Sequence, residues 1–139
     1  MIAFHLPIVP PKSTAQTKRL VIVAGKPRFF KSHRHSDAEV LLTDLCTPYV
    51  PADPLQGALK LTVDFVFPWR KSDSKTRRAW SKLPNDKRPD VDNLIKMVAD
   101  VLTKLRFYGD DGQVSTLVIS KSWGDRVGIS IEIEPIPTI

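Results

Sequence analysis

Apolar and polar residues alternate most regularly over Leu59-Lys-Leu-Thr-Val-Asp-Phe-Val-Phe67, the period of two expected of a strand with one buried face. Shorter runs of the same kind are Ile2–Leu6, Arg19–Val23 and Arg28–Phe30, the last two flanking Ala24-Gly25-Lys26-Pro27 and so reading as a hairpin. Two further strands are predicted over Val114–Ser122 and Gly128–Glu134, joined through Gly124-Asp125-Arg126. A different period governs Val91, Leu94, Ile95, Val98, Leu102 and Leu105, whose i, i+3, i+4, i+7 spacing predicts a helix from Asp90–Asn93 to about Leu105 with one buried stripe. An earlier helix is predicted from a cap at Ser32 or Ser36 to Cys46, with Ala38, Val40, Leu41, Leu45 and Cys46 as its apolar side. Pro48, Pro51 and Pro54 forbid its continuation. The order β-ββ-α-β-α-ββ predicts a single α+β domain: a mixed, mostly antiparallel sheet with two helices packed on one face. Residues 68–89, with prolines at both ends and many polar side chains, fit no period and read as one long exposed segment.

Composition narrows the class. A chain of 139 residues can bury a core without staples, and a single cysteine, Cys46, excludes an intrachain disulfide and a paired-cysteine zinc site. Cys46 reads as a small buried hydrophobe. No apolar run reaches the ~18 residues of a membrane span. Met1–Pro10 lacks a basic start and a long apolar core, so a cytoplasmic protein without a membrane partner is expected.

Charge says more. The net charge is +6, and it is unevenly distributed. Residues 1–36 hold seven basic residues and no acid; residues 70–88 hold eight (Arg70, Lys71, Lys75, Arg77, Arg78, Lys82, Lys87, Arg88) against two acids. Clustered cations displace the counterions of a polyanion, which makes nucleic acid the first partner to expect. Those eight residues, with Lys12, Lys18, Arg19 and Arg28, are candidates for backbone contact. Trp69 and Trp80, lying among them, could stack on unpaired bases or cover the sheet. Trp123 reads as packing. His33 and His35, two residues apart, face different sides of a helix and suit phosphate contact or solvent better than a metal.

The acids form the other cluster. Asp90 and Asp92 stand where the second helix starts, and Asp110-Asp111 follow its end. A helix over residues 92–105 is about 20 Å long. The chain must fold back after Leu105 for both pairs to share a site, and the five intervening residues are enough to cover most of that length when extended. Four carboxylates brought together repel unless a cation neutralises them, and an oxygen-only donor set selects a hard ion such as Mg²⁺ or Mn²⁺. Such an ion serves phosphodiester hydrolysis. Lys96, one turn beyond Asp92, could hold the phosphate. Each residue also has a structural reading: Asp90 and Asp92 as helix caps, Asp92–Lys96 as a surface ion pair, Asp110-Asp111-Gly112 as a turn. Spacing alone leaves both readings open.

Lys87-Arg88-Pro89-Asp90-Val91-Asp92-Asn93-Leu94-Ile95-Lys96, then Asp100-Val101-Leu102, then Asp110-Asp111-Gly112-Gln113-Val114, resemble the RusA family of Holliday-junction resolvases of phages and prophages. The resemblance is good over roughly residues 57–134 and, in the N-terminal third, extends only to the order of elements. It implies that residues 1–139 form one endonuclease domain, working as a homodimer that uses Mg²⁺ (or Mn²⁺ in its place) to cut four-way DNA junctions symmetrically in recombination and repair. The family's catalytic aspartates fall on Asp90, Asp92 and Asp111, its essential lysine on Lys96, and Asp110 matches the neighbouring acid of the metal site. Two rivals remain from sequence: a non-catalytic, structure-selective DNA-binding protein, and a nuclease of flaps or forks.

Overall fold

The computed structural model describes residues 1–12, 18–23, 26–31 and 33–139, with side chains described for residues 1–12 and 37–139. Among the described residues seven strands and three α-helices follow in chain order: β1 (Ile2–Leu6), β2 (Lys18–Val23), β3 (Lys26–Lys31), α1 (His33–Cys46), β4 (Leu59–Phe67), α2 (Lys75–Arg78), β5 (Lys82–Pro84), α3 (Val91–Lys104), β6 (Val114–Gly124) and β7 (Gly128–Pro135). Five strands make one sheet in the order β1-β7-β4-β6-β5, all antiparallel pairs except β4 with β6. β2 and β3 pair separately as the expected hairpin, whose turn residues 24–25 lie outside the described ones.

The period-two pattern decides which sheet face is wet. Leu59, Leu61, Val63 and Phe65 of β4 and Ile129, Ile131 and Ile133 of β7 are buried together with α1 and α3. Their alternates on the far face are polar: Ser120 donates to Asp64 at 2.7 Å, Lys82 pairs with Asp64 at 2.6 Å, and His5 meets Ser130 at 2.8 Å.

α3 buries Leu94, Ile95, Met97, Val98, Val101 and Leu102, a wider face than the stripe predicted, while Val91 at its first turn is exposed. α1 begins at His33, so Ser36 is inside it rather than its cap; Ser32 lies outside the described residues. Its buried side is Leu42 and Cys46, flanked by Ala38 and Leu45. Val40 and Leu41, expected on that side, are exposed, because they lie off the i, i+4, i+7, i+8 row that 38, 42, 45 and 46 define.

The segment read as featureless, 68–89, contains α2 and β5. Four helical residues and three strand residues are too few to establish a period. Asp73 holds the segment together instead. Its buried carboxylate accepts from Arg70 Nη2 and Arg77 Nε, both at 3.1 Å, and from the Arg70 backbone N–H at 2.8 Å. The Arg70 hydrogen bond first of all holds its pKa down to about 2. Arg70 in turn lies over the Trp123 ring, 4.6 Å from its centroid, which fastens the segment to the core.

Candidate active site

The turn after α3 decides where the second acid pair goes. Arg106 takes a left-handed φ of 68°, its N–H bonds to Thr103 O at 3.1 Å and that of Phe107 to Leu102 O at 3.1 Å, closing the helix C-terminus. Phe107 and Tyr108 then plunge into the core, both fully buried, so the chain runs back along α3 as the spacing required. Asp111 ends beside Lys96, Ala99, Tyr108 and Leu117, around a cavity of about 250 Å³.

The return stops there. Lys96 is four residues into the helix from Asp92, so Asp92 lies about 6 Å further along the axis. Among the described residues no three Asp, Glu, His or Cys side chains stand close enough to enclose a metal ion. The acids do not converge on one point: Asp111 lines the cavity beside Lys96, and Asp90 lines another. That second cavity, of about 510 Å³, is also lined by Lys12, Arg88, Pro89 and Asn93, and the Asn93 Oδ1 there is buried and without a hydrogen-bond partner.

Two of the structural readings of these residues fail. Asp90 occupies the N-cap position of α3, yet its carboxylate makes no capping hydrogen bond. Asp92 and Lys96 form no ion pair, though one helical turn separates them. The Asp110-Asp111-Gly112 reading as a turn holds, since Asp111–Gln113 is a single 3₁₀ turn. That turn presses the acids together: Asp111 has its pKa raised, first by a hydrogen bond to the Asp110 side chain, then by the Asp110 charge, burial and the charge of Asp100. Gly112 permits the crowding, because a Cβ there would stand 3.2 Å from Asp110 Oδ2. Tyr108 beside them has its pKa raised as well, mainly by burial and further by the charges of Asp111 and Asp100.

Gln113, which stood in the motif without a role, and Lys121, which sequence did not single out, hold the acid-bearing loops. Gln113 spends its whole side-chain amide there: Oε1 accepts from Gly109 and Asp110 N–H at 2.8 and 3.0 Å, and Nε2 donates to the carbonyls of Leu55 and Gly57, each at 3.0 Å. Lys121 donates from Nζ to the carbonyls of Lys87 and Pro89, the latter at 2.8 Å, pinning the residues before Asp90. A lysine in register with Phe65 on the otherwise apolar face of β6 was the available signal for it.

The basic candidates divide. Arg70, Arg77, Arg78 and Lys82 are engaged by Asp73, by backbone carbonyls and by Asp64. Lys12, Lys71, Lys75, Lys87 and Arg88 are exposed and pair with no described acid. Trp69 is half-buried, packs against the core and donates from Nε1 to Asp125 at 2.8 Å. The side chains of Lys18, Arg19, Arg28, His33 and His35 lie outside the described ones.

A basic surface beside crowded carboxylates, with Asp90 and Asp92 paired to no described side chain, is an arrangement suited to a hydrolase of phosphodiester bonds. A family model described as endodeoxyribonuclease RusA matches residues 7–134, and the chain belongs to that family. It is 37% identical over 124 residues, 89% of this chain and 90% of the relative, to the crossover junction endodeoxyribonuclease of Lactococcus phage r1t. It is also 31% identical over 117 residues, 81% of this chain and 76% of the relative, to the uncharacterized protein YqaN of Bacillus subtilis strain 168. Among the described residues no helix is long and apolar enough to cross a membrane.

Proposed function

We propose that the protein is a divalent-metal-dependent endonuclease that resolves four-way DNA junctions, working as a homodimer whose two sites cut opposing strands. The carrying observation is the return of Asp111 to the side of Lys96, crowded against Asp110, while Asp90 and Asp92 remain unspent nearer the start of the same helix. A two-fold pair of sites suits a junction, which is itself approximately two-fold symmetric.

The donor chemistry fits a hard cation. Every candidate ligand is a carboxylate oxygen, and the raised pKa of Asp111 marks negative charge in want of a counter-ion. Mg²⁺ needs only one or two direct carboxylates and retains several waters, so the Asp110–Asp111 pair with Asp90 and Asp92 beyond it meets its demands, and Mn²⁺ would substitute. When bound, the ion supplies a polarised phosphoryl oxygen and an activated water. Lys96 places an ammonium where charge builds on the phosphate, and being unpaired it is available to it. Gln113 and Lys121 hold the two acid loops rigid. Lys12, Lys71, Lys75, Lys87 and Arg88 supply the cations that grip the arms. Recombination and repair are the processes that produce such junctions.

The test is cleavage of a synthetic four-way junction, a linear duplex and a flap with Mg²⁺ or Mn²⁺, by wild type and Asp92→Asn. Paired symmetric nicks on the junction, lost in the variant while binding is kept or strengthened, are expected. Binding without any cut would leave a DNA-binding protein with structural acids; preference for the flap would make it a flap nuclease.

A further inference from the structure

Trp80 is the exposed tryptophan. Its residue is 70% accessible, whereas Trp69 is half-buried and Trp123 is 8% accessible. Its backbone is not loose. Trp80 N–H bonds to Arg77 O at 3.1 Å and Ser81 N–H to Arg78 O at 3.1 Å; Ser81 turns the chain at φ 64°, and its carbonyl accepts from Asp125 N–H at 3.0 Å. Before Trp80 stands the Asp73-centred knot, and after it β5 is paired with β6 from Lys82 onward. A large apolar ring is thus held mostly in water by a fixed turn, an arrangement that costs apolar exposure.

The surroundings identify the ligand. From Ser74 to Asn85 there is no acid, and Lys75, Arg77, Arg78 and Lys82 surround Trp80 in sequence. An aromatic face set among cations suits a base stacked on the ring with its phosphates beside it. Duplex bases are already stacked on each other and offer no free face.

We infer that Trp80 is a stacking site for an unpaired or unstacked nucleobase, mounted on a preformed basic arm made by residues 70–84. The site rests on the reading of the protein as a branched-DNA enzyme and adds a contact that selects branched over continuous duplex DNA. Lys75, exposed and unpaired, supplies a phosphate contact next to it.

The experiment measures binding of a four-way junction, a duplex and a single strand in chelator, so that nothing is cut, by wild type, Trp80→Ala, Trp80→Leu and Trp80→Phe. Thermal midpoints confirm folding, which removal of an exposed ring leaves nearly unchanged. Trp80→Ala and Trp80→Leu are expected to weaken junction and single-strand binding by roughly 5- to 100-fold, with duplex binding and the salt dependence unchanged and with Phe restoring most of the loss. Equal junction binding by wild type and Trp80→Ala overturns the inference, as does full rescue by Leu or an equal loss on duplex. Should wild type itself not prefer the junction, the junction reading fails, and the single-strand comparison still decides the role of Trp80.

Discussion

Asp110 crowds Asp111 in one 3₁₀ turn, and the Asp110 side chain, through hydrogen bonding and then through its charge, raises the Asp111 pKa, so Asp111 keeps a proton beyond the pH at which an isolated aspartate would lose it. Asp111 therefore holds more proton in the folded than in the unfolded state between its ordinary value of 3.8 and the raised one, and its contribution to stability falls as pH rises through that window. At neutral pH the pair opposes folding. Asp110→Asn is expected to raise the thermal midpoint at pH 7 but not below pH 3.8, and added Mg²⁺ is expected to narrow the difference. Melting curves at the two pH values, with and without the ion, check this; identical midpoints for variant and wild type throughout would contradict the repulsion.

Lys96 carries the next prediction. It makes no ion pair that its removal would break, and it is exposed. Lys96→Gln should fold normally and bind the junction almost as wild type does, yet cleave about 10²- to 10³-fold more slowly if its ammonium faces charge developing on the phosphate. Single-turnover cleavage beside a binding isotherm separates the two effects. A loss confined to binding would make Lys96 a grip on the backbone instead.

Gln113 ties the acid loop to the carbonyls of Leu55 and Gly57. Gln113→Leu keeps the volume and removes every one of those bonds, leaving partly buried backbone groups unpaired at a cost of about 1–3 kcal/mol. Urea denaturation should show this loss. Cleavage should fall further than junction affinity, because the displaced loop carries Asp111 rather than the basic arm.

Asp73 allows a prediction of counterintuitive sign. Removing an acid from a basic surface ought to strengthen DNA binding by charge alone. Asp73→Asn should weaken it, because Arg70 and Arg77 lose the buried carboxylate that organises the arm. Fluorescence anisotropy across a salt series would show it, and tighter binding at every salt concentration would exclude the organising role. Since its pKa is lowered from 3.8 to about 2, Asp73 stabilises the fold above pH 3.8 and loses that effect as pH falls toward 2.

What could be read from the chain beforehand follows the range over which each signal acts. α3 was legible because its apolar stripe repeats over fourteen residues, and β4 because nine residues alternate. The same periodicity misassigned Val40 and Leu41, since α1 carries more apolar residues than its buried row accepts. The return of Asp111 was bounded by spacing, but its stopping point beside Lys96 depended on Phe107 and Tyr108 entering the core. Gln113 stood in the motif, whereas its acceptors are 56 and 58 residues away and nothing local names them. The arm was invisible because a single buried aspartate, not a repeating pattern, holds it.

β7 lies between β1 and β4, although the sequence makes it the last of the strands. Ile2 is in register with Ile133, and Leu61 with the same Ile133 from the other side. During synthesis β1 and β4 can leave the ribosome without touching each other, and the slot between them stays open until residues 128–135 arrive. The strand order that supports both acid loops is therefore incomplete until residues 128–135 are available, and until then β1 and β4 each keep one edge without its partner strand.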